Sequence, residues 1–299
     1  MARSIKLLGA FALAATAACS TDPTSPSSIS AARHTANVTE ASTHNVVVTE
    51  SDIARQADNT VPTRSWVFYM IGPTLTGEFV SGPGNPPLGE GSFEMTTVAN
   101  ADHGTLFNFD HVNTRLADID AIGYSTYREP TSTGFPHILP SINIAIDKNG
   151  PPYVSGDFAT LVFEPIYNAD QGAVVPGVWQ TWNGIAGNWW STRDFPPAVV
   201  SGVTYPWSYF VATFPDATIL GGFGVNQGSF SANLVAGTDA LTLGVGGTTW
   251  IYNFEPSRSG DGDDGCKGDA KDDERRGDGS SSRRHDKCKT HGHDGSDEN

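Results

Sequence analysis

The sequence predicts an all-β domain, an antiparallel β-sandwich with one short helix near 206–214 and disordered termini. Three observations predict it. Short runs of β-branched and aromatic residues recur between positions 46 and 256. The 33 Gly and 19 Pro residues of the chain punctuate these runs at roughly the spacing of sandwich turns. The two ends of the chain lack such runs, so the predicted core lies between them.

Each predicted strand is a short β-branched or aromatic run bounded by turn-forming residues. In 92–98, Phe93, Met95 and Thr97 alternate with polar neighbours, which is the period-two pattern of a half-buried strand. Ser208–Phe214 is the predicted helix, because Pro206 precedes it and Pro215 ends it. The other predicted strands are 45–50, 65–71, 119–127, 142–147, 160–164, 178–182, 217–225, 240–245 and 248–254.

The N-terminal residues have the pattern of an export signal. Arg3 and Lys6 precede the apolar run 7–18, which is too short to span a bilayer but suits a signal peptide, so 1–18 is read as one. Cys19 follows small residues, as in the lipobox of bacterial lipoproteins, where this cysteine carries the lipid. The pattern is incomplete at Thr16, so ordinary cleavage without lipidation stays open. We expect an exported protein, anchored by lipid at the outer membrane or cell surface, or otherwise secreted.

Composition divides the rest of the chain into three parts. Residues 19–45 are rich in Ser, Thr, Pro and Ala and predict a disordered tether. Residues 46–256 form the predicted sandwich domain. Residues 257–299 contain no Val, Ile, Leu, Met, Phe, Tyr or Trp and predict a disordered charged tail.

Charge restricts the partners of the domain. Between 61 and 256 there are 16 acidic residues against 5 Lys and Arg, a net charge of −11. Such a surface repels nucleic acid and anionic lipid. It suits cations, neutral sugars or simple solubility, and no nucleic-acid partner is expected.

The aromatic residues of 161–207 are the candidate ligand platform. On a strand, Trp179 and Trp182 point to opposite faces, as do Trp189 and Trp190, so each pair contributes one core residue and one residue that is exposed or lies under a loop. An exposed aromatic ring can stack on the apolar face of a sugar while polar neighbours bind its hydroxyls. The alternative is that most of these rings are core. The candidate ligand-binding residues are Tyr167, Trp182, Trp189, Trp190, Trp207, Gln180 and Asn188, with Asn168 as a further polar neighbour.

Several segments resemble known exported domains. LADIDAIGYSTYR, TLVFEPIYN, GNWWSTR, FPDATILGGFGVN and IYNFEP, over roughly 60–256, are similar to an uncharacterised domain of bacterial cell-surface proteins. The order of Gly89–Phe93, Gly177–Trp179 and Asn253–Glu255 resembles jelly-roll carbohydrate-binding modules and galactose-binding-like sandwiches. The resemblance implies a jelly-roll-like sandwich. Since jelly-roll modules often hold a structural calcium ion, it also implies oxygen ligands, for which Glu78, Asp239 and Glu255 are the candidates.

The sequence lacks the common catalytic motifs of hydrolases. No H-E-x-x-H, G-x-S-x-G, Walker loop or C-x-x-C occurs, and no catalytic residue is assigned. Glu94 and Glu164 could act as a pair of carboxylates in a glycoside hydrolase or lyase. In the tail, Cys266 and Cys288 could form a disulfide after export, while Cys288 with His285, His291 and His293 could form a zinc site.

Three functions are therefore open. The first is an exported, lipid-anchored surface domain that binds carbohydrate or another surface ligand without catalysis. The second is a structural or adhesion domain with no small ligand, in which the aromatic residues are core. The third, and least favoured, is a glycoside hydrolase or lyase.

Overall fold

Two β-sheets face each other across a core of aliphatic and aromatic side chains in the computed structural model, which describes residues 41–58, 60–228 and 230–257. The strands are β1 (Ser42–Val48), β2 (Ile53–Ala57), β3 (Trp66–Ile71), β4 (Thr76–Ser81), β5 (Gly91–Thr97), β6 (His103–Asn108), β7 (Ile119–Arg128), β8 (Ser141–Asp147), β9 (Phe158–Phe163), β10 (Gln180–Asn183), β11 (Asn188–Ser191), β12 (Thr204–Pro206), β13 (Thr218–Gln227), β14 (Leu234–Val245) and β15 (Thr248–Phe254). Helix α1 is Trp207–Thr213, and short 3-10 helices lie at Glu50–Asp52, Leu116–Asp118, Pro165–Tyr167 and Ala169–Gln171.

Sheet A contains seven strands arranged around the long strand β14. One edge of β14 pairs with β5 through Leu234–Thr238 and with β15 through Leu241–Val245. The other edge pairs with β7, which in turn pairs with β10. β4 lies beyond β5, and β1 lies beyond β15. Sheet A therefore splits at Asp239 and Ala240, between the end of the β5 pairing and the start of the β15 pairing.

Sheet B contains eight strands in the order β12-β11-β9-β8-β13-β6-β3-β2. Its long strand β13 pairs with β6 on one side and β8 on the other, with an irregularity between Ile219 and Phe223. Aromatic contacts join its inner face to sheet A, among them Phe68 against Phe93 at 5.2 Å between ring centroids. The buried side chains of both inner faces make one core, which fixes which face of each sheet is left for solvent and ligands.

The sandwich predicted from the sequence is confirmed, including the single short α-helix. Pro206 occupies the N-cap position of α1 without a side-chain capping bond, and the helix ends at Thr213, ahead of Pro215. Most strand pairs are antiparallel as expected, but β1 with β15 and β2 with β3 are parallel. Both parallel pairs place an N-terminal strand at the edge of a sheet. β2, β4, β6, β11 and β12 were not predicted, because they are short and carry polar residues or Gly and Pro in place of a β-branched run.

Candidate functional site

Trp179 and Trp182 lie on opposite faces of sheet A, as their spacing predicts. Trp182 pairs with Tyr124, is 1% exposed, and donates its indole N–H to Thr126 Oγ1 at 2.8 Å. Trp179 lies just before β10 and is half-buried, with its indole N–H donated to the Pro83 carbonyl at 2.8 Å. The Trp182 ring is enclosed in the core of this structure, so its predicted contact with a ligand stays a prediction without an exposed ring to make it. Trp179 is the ring that reaches the outer face.

The second tryptophan pair divides in the same way. Trp189 is fully buried against Trp207, with ring centroids 5.2 Å apart, and Trp207 is itself buried. Both rings are enclosed in this structure, so neither presents a face on which a ligand could stack. Trp190 points to the other face of sheet B, is half-buried, and donates its indole N–H to Glu164 Oε2 at 2.8 Å. From this position the Trp190 ring can contact a ligand. It does not form a platform with Trp189 and Trp207, because those two rings are buried.

The remaining candidate residues are separated or bonded within the protein. Tyr167 is 52% exposed on a 3-10 helix. The Gln180 side chain binds the backbone of Ala173 and Val175 and so holds the loop before β10. Asn188 is joined through its backbone to the side chain of the buried Asn168. The predicted residues of 167–207 do not form one exposed surface.

The predicted calcium ligands do not converge in the described ranges. Glu78 is exposed on β4, opposite Glu94 of β5. The carboxylates of Asp239 and Glu255 accept backbone N–H groups. No group of three His, Cys, Asp or Glu side chains suited to a metal ion occurs in the part of the chain that the structure describes. Calcium binding stays a prediction without a site.

The two carboxylates considered for catalysis lie in different sheets. Glu94 belongs to β5 of sheet A, and Glu164 follows β9 of sheet B. The pKa of Glu94 is raised by burial and by the nearby Glu129 and Glu78 carboxylates. The pKa of Glu164 is raised by burial, against the lowering effect of the bond from Trp190. No strand pairing joins the two residues. Cys19, Cys266 and Cys288 lie outside the described residues.

A groove of about 480 Å³ lies on the outer face of sheet A and is a candidate site. Its floor is the β7–β10 ladder, where Gly123 pairs with Asn183 and Ser125 pairs with Thr181. The Ser125 and Thr181 hydroxyls are hydrogen-bonded at 2.8 Å. Thr242 of β14 and Ile251 of β15 continue the floor, so that hydroxyl, amide and apolar groups face the same opening.

Tyr127 and Trp179 stand at the next outward position of the same ladder. Alternation along β7 and β10 places them on the face of Ser125 and Thr181. Their rings are tilted by 48° with centroids 5.6 Å apart. Gly237 of β14 lies beneath the Trp179 ring, since a Cβ on this glycine would be 3.3 Å from it. The result is a half-exposed aromatic wall that stands beside the groove and outside its lining, and its tryptophan is fixed in place by the bond to Pro83.

The connection 82–90 between β4 and β5 crosses the outer face of sheet A, and we call it the strap. Asp239 Oδ2 accepts the Leu88 N–H at 2.9 Å, and Glu255 Oε1 accepts the Glu90 N–H at 3.0 Å. Gly89 must be a glycine, because its φ is +56° and a Cβ would lie 1.4 Å from Glu255 Oε1. Pro87 and Leu88 of the strap form one side of the groove. The carboxylates of Asp239 and Glu255 therefore hold the strap, which forms one side of the candidate site.

Asp239 occupies the split in sheet A and is completely buried. Its Oδ1 accepts the Phe254 N–H at 3.1 Å, so the carboxylate replaces a missing backbone partner at the end of β15. Burial raises the pKa of Asp239 to about 6, against the backbone N–H bonds that lower it, and the Glu255 carboxylate raises it further. This acid is thus poised to change its charge at mildly acidic pH.

Stability is expected to fall as pH rises through this range because of Asp239. The folded pKa, about 6, lies above the ordinary value of 3.8, so the folded protein binds this proton more tightly than the unfolded chain does. The stabilising effect of the proton is fully present below about pH 4 and is lost as pH rises through about 6, a change of about 3 kcal/mol. Urea unfolding of the wild type and of Asp239→Asn, compared across this range, checks it.

The comparison with Asp239→Asn removes the contributions of every other titrating group. The amount by which the free energy of unfolding of the wild type exceeds that of Asp239→Asn should shrink as pH rises. A difference in the free energy of unfolding that stays constant from about pH 4 to about pH 7 would contradict the assignment.

The groove has the chemistry of a site for neutral, hydroxyl-rich ligands. Its lining contains one charged side chain, that of Asp120, and no Lys or Arg. Aromatic faces bind apolar CH surfaces, while Ser, Thr and Asn side chains both donate and accept hydrogen bonds. Gly123 leaves a flat floor on which a ring can lie close to the sheet.

The sequence reasoning missed most of this site. Trp179 was recognised as the partner of Trp182, but the ligand role was assigned to Trp182. Gly123, Ser125 and Tyr127 occupy alternate positions of the predicted strand 119–127 and therefore share one of its faces. That signal could have grouped them with Trp179, but it could not have shown which face points to solvent.

No helix of the described residues is long and apolar enough to cross a membrane. Nothing matches the chain in comparisons with protein-family models, with curated proteins or with solved structures.

Proposed function

We propose that this protein is an exported surface domain that binds neutral carbohydrate, without catalysis, on the outer face of sheet A. The observation that supports it is the ladder of β7 and β10. It presents Gly123, Ser125 and Thr181 as a floor and Tyr127 with Trp179 as an aromatic wall, all on one face. An aromatic ring beside convergent polar groups is the usual arrangement of a sugar-binding surface.

Preorganisation favours the aromatic wall as the main contact. The bond from the Trp179 indole N–H to Pro83 holds the ring before any ligand arrives. A ring that is already fixed loses little conformational entropy on binding, so more of the stacking energy appears as affinity. By contrast, the rings of Trp182, Trp189 and Trp207 would have to leave the core to reach a ligand.

Charge favours neutral over acidic sugars. The groove lining contains the Asp120 carboxylate and no cation, and the chain as a whole has a net charge of −15. A uronic acid or sulfated sugar would meet repulsion with no Lys or Arg to compensate it. The proposed ligand is therefore a neutral glycan of a cell surface or matrix.

Anchoring is part of the same proposal. A lipid on Cys19 and the polar segment that precedes β1 would hold the domain off a membrane, as the N-terminal sequence pattern implies. A tether of this composition extends with the square root of its length and leaves the domain free to turn. Affinity for a surface polymer would then rise through effective concentration when many copies share one membrane.

Replacing Trp179 by alanine should weaken glycan binding at least tenfold, because the stacking surface is lost. We expect wild type to bind a subset of neutral glycans on an array and Trp179→Ala to lose those signals. Trp190→Ala is the matched control, since this half-buried tryptophan lies in sheet B. Its binding pattern should equal that of wild type.

Two results would contradict the proposal. One is the absence of binding to any glycan by a folded wild-type protein. The other is loss of binding in Trp190→Ala with Trp179→Ala unaffected, which would move the site to sheet B.

The burial of three tryptophans favours a second candidate, a structural or adhesion domain with no small ligand. Trp182, Trp189 and Trp207 stabilise the core in this structure, as that hypothesis expects. A folded domain that binds no glycan but associates with whole cells would support it. Glu94 on β5 and Glu164 after β9 have no part in this proposal.

A further inference from the structure

A second groove, of about 990 Å³, lies on the other side of the strap. The loop between β1 and β2 contributes Thr49 and Ser51, the strap contributes Gly89 and Glu90, and the last strand with its C-terminal extension contributes Asn253 and Glu255. None of the proposed sugar contacts belongs to this groove. Like the first groove it offers hydroxyl and amide groups and no Lys or Arg.

The two grooves neighbour each other along β15. Ile251 lines the first groove and Asn253 lines the second. The two residues are two positions apart on one strand, so they share a face and stand about 7 Å from each other. The strap shows the same order, because Leu88 borders the first groove and Gly89 borders the second. A ligand longer than one sugar would therefore leave the first groove at the edge of the second.

Asn253 is the residue of the second groove with unmet hydrogen-bonding capacity. Its Oδ1 is shielded from solvent and has no hydrogen-bond partner among the described residues. Buried amide oxygens of folded proteins are almost always paired, and an unpaired one costs about 1–3 kcal/mol. A rotation of the side chain that turned this oxygen toward the groove would let a ligand hydroxyl donate to it.

We propose that the second groove is a further subsite for the same ligand, which is thus an internal stretch of a neutral polysaccharide chain rather than a single terminal sugar. The inference rests on the proposed carbohydrate function of the first groove. The chain crosses the strap at Leu88 and Gly89, and its hydroxyls bind Asn253 and Ser51 on the far side. The strap then sets the distance between the two subsites, because Asp239 and Glu255 fix its backbone.

Titration calorimetry with short and long chains of the same sugar tests the inference. The probes are cellobiose with cellohexaose, and the corresponding xylose and mannose pairs. The hexasaccharide of the binding series should bind wild type at least tenfold more tightly than the disaccharide, or about 1.4 kcal/mol. Asn253→Ala should reduce the hexasaccharide affinity toward that of the disaccharide and leave the disaccharide affinity unchanged. Trp179→Ala should weaken both.

The variants separate a true subsite from the larger number of registers that a long chain can occupy. Asn253→Ala leaves that statistical advantage intact, so any selective loss reports contacts in the second groove. Ser51 is exposed, so Ser51→Ala gives the same readout if Asn253→Ala folds poorly. Equal affinity for short and long chains, or equal weakening of both by Asn253→Ala and Ser51→Ala, overturns the inference and leaves the carbohydrate function standing. Failure of every probe to bind overturns both.

Discussion

Replacing Trp182 by alanine is expected to lower the free energy of unfolding by about 4 kcal/mol. The ring is enclosed in the core, and its removal leaves a cavity that neighbouring side chains can fill only in part. The substitution also removes the donor that satisfies Thr126 Oγ1, a group that is itself buried. Both effects act in the same direction, which places this change among the most damaging in the chain.

Chemical denaturation of Trp182→Ala, Trp182→Phe and Trp179→Ala measures this effect. Trp182→Phe keeps most of the volume and should cost roughly half as much. Trp179→Ala removes a half-buried ring from the outer face and should cost about 1 kcal/mol. If Trp179→Ala proves as destabilising as Trp182→Ala, the assignment of the two rings to opposite faces is wrong.

Replacing Asn168 by alanine is expected to cost about 3 kcal/mol. Its side chain is fully buried, donates to the carbonyls of Glu164 and Asn188, and accepts the Asn188 N–H at 2.6 Å. Without it, backbone groups on both sides of the connection from β9 to β11 lose their partners where little water can replace them. Gly187, which neighbours Asn188, has no room for a side chain, since a Cβ would lie 2.3 Å from Phe163 Cε2 and 2.9 Å from Asn168 Oδ1.

Asn188→Ala is the control for this prediction. It is the same residue type in the same connection, but the bonds to Asn168 use its backbone and survive the substitution. Thermal unfolding should show a large drop in melting temperature for Asn168→Ala and a small one for Asn188→Ala. Equal drops would mean that Asn168 does not join the two segments.

The sandwich could be predicted from the sequence because its signals are local. β-Branched runs, turn residues and the two prolines around α1 each act within a few positions. Strand parity was equally local and correctly split both tryptophan pairs. The parallel edge pairs β1 with β15 and β2 with β3 could not be predicted, since pairing between distant segments leaves no mark on the spacing of residues within either one.

The candidate site could not be predicted in full because its parts are distant in sequence. Ser125, Thr181 and Leu88 come from three segments that are distant in sequence. They line one groove only once sheet A has formed. Deciding that Trp179 and not Trp182 lies on the outer face requires knowing which face of β10 packs on sheet B. Parity gives two faces but not their direction, and that direction is set by contacts such as Trp182 with Tyr124 on the inner face.

The most direct test of the outer-face site is a nitrogen-15 NMR titration with a neutral oligosaccharide that binds on the array. The amide signals of Gly123, Ser125 and Thr181 and the indole N–H signal of Trp179 should shift together and saturate with one affinity. The indole signals of Trp182, Trp189 and Trp190 should change little. Shifts that centre on Trp190 and Tyr167 while the β7–β10 ladder stays unchanged would contradict the account.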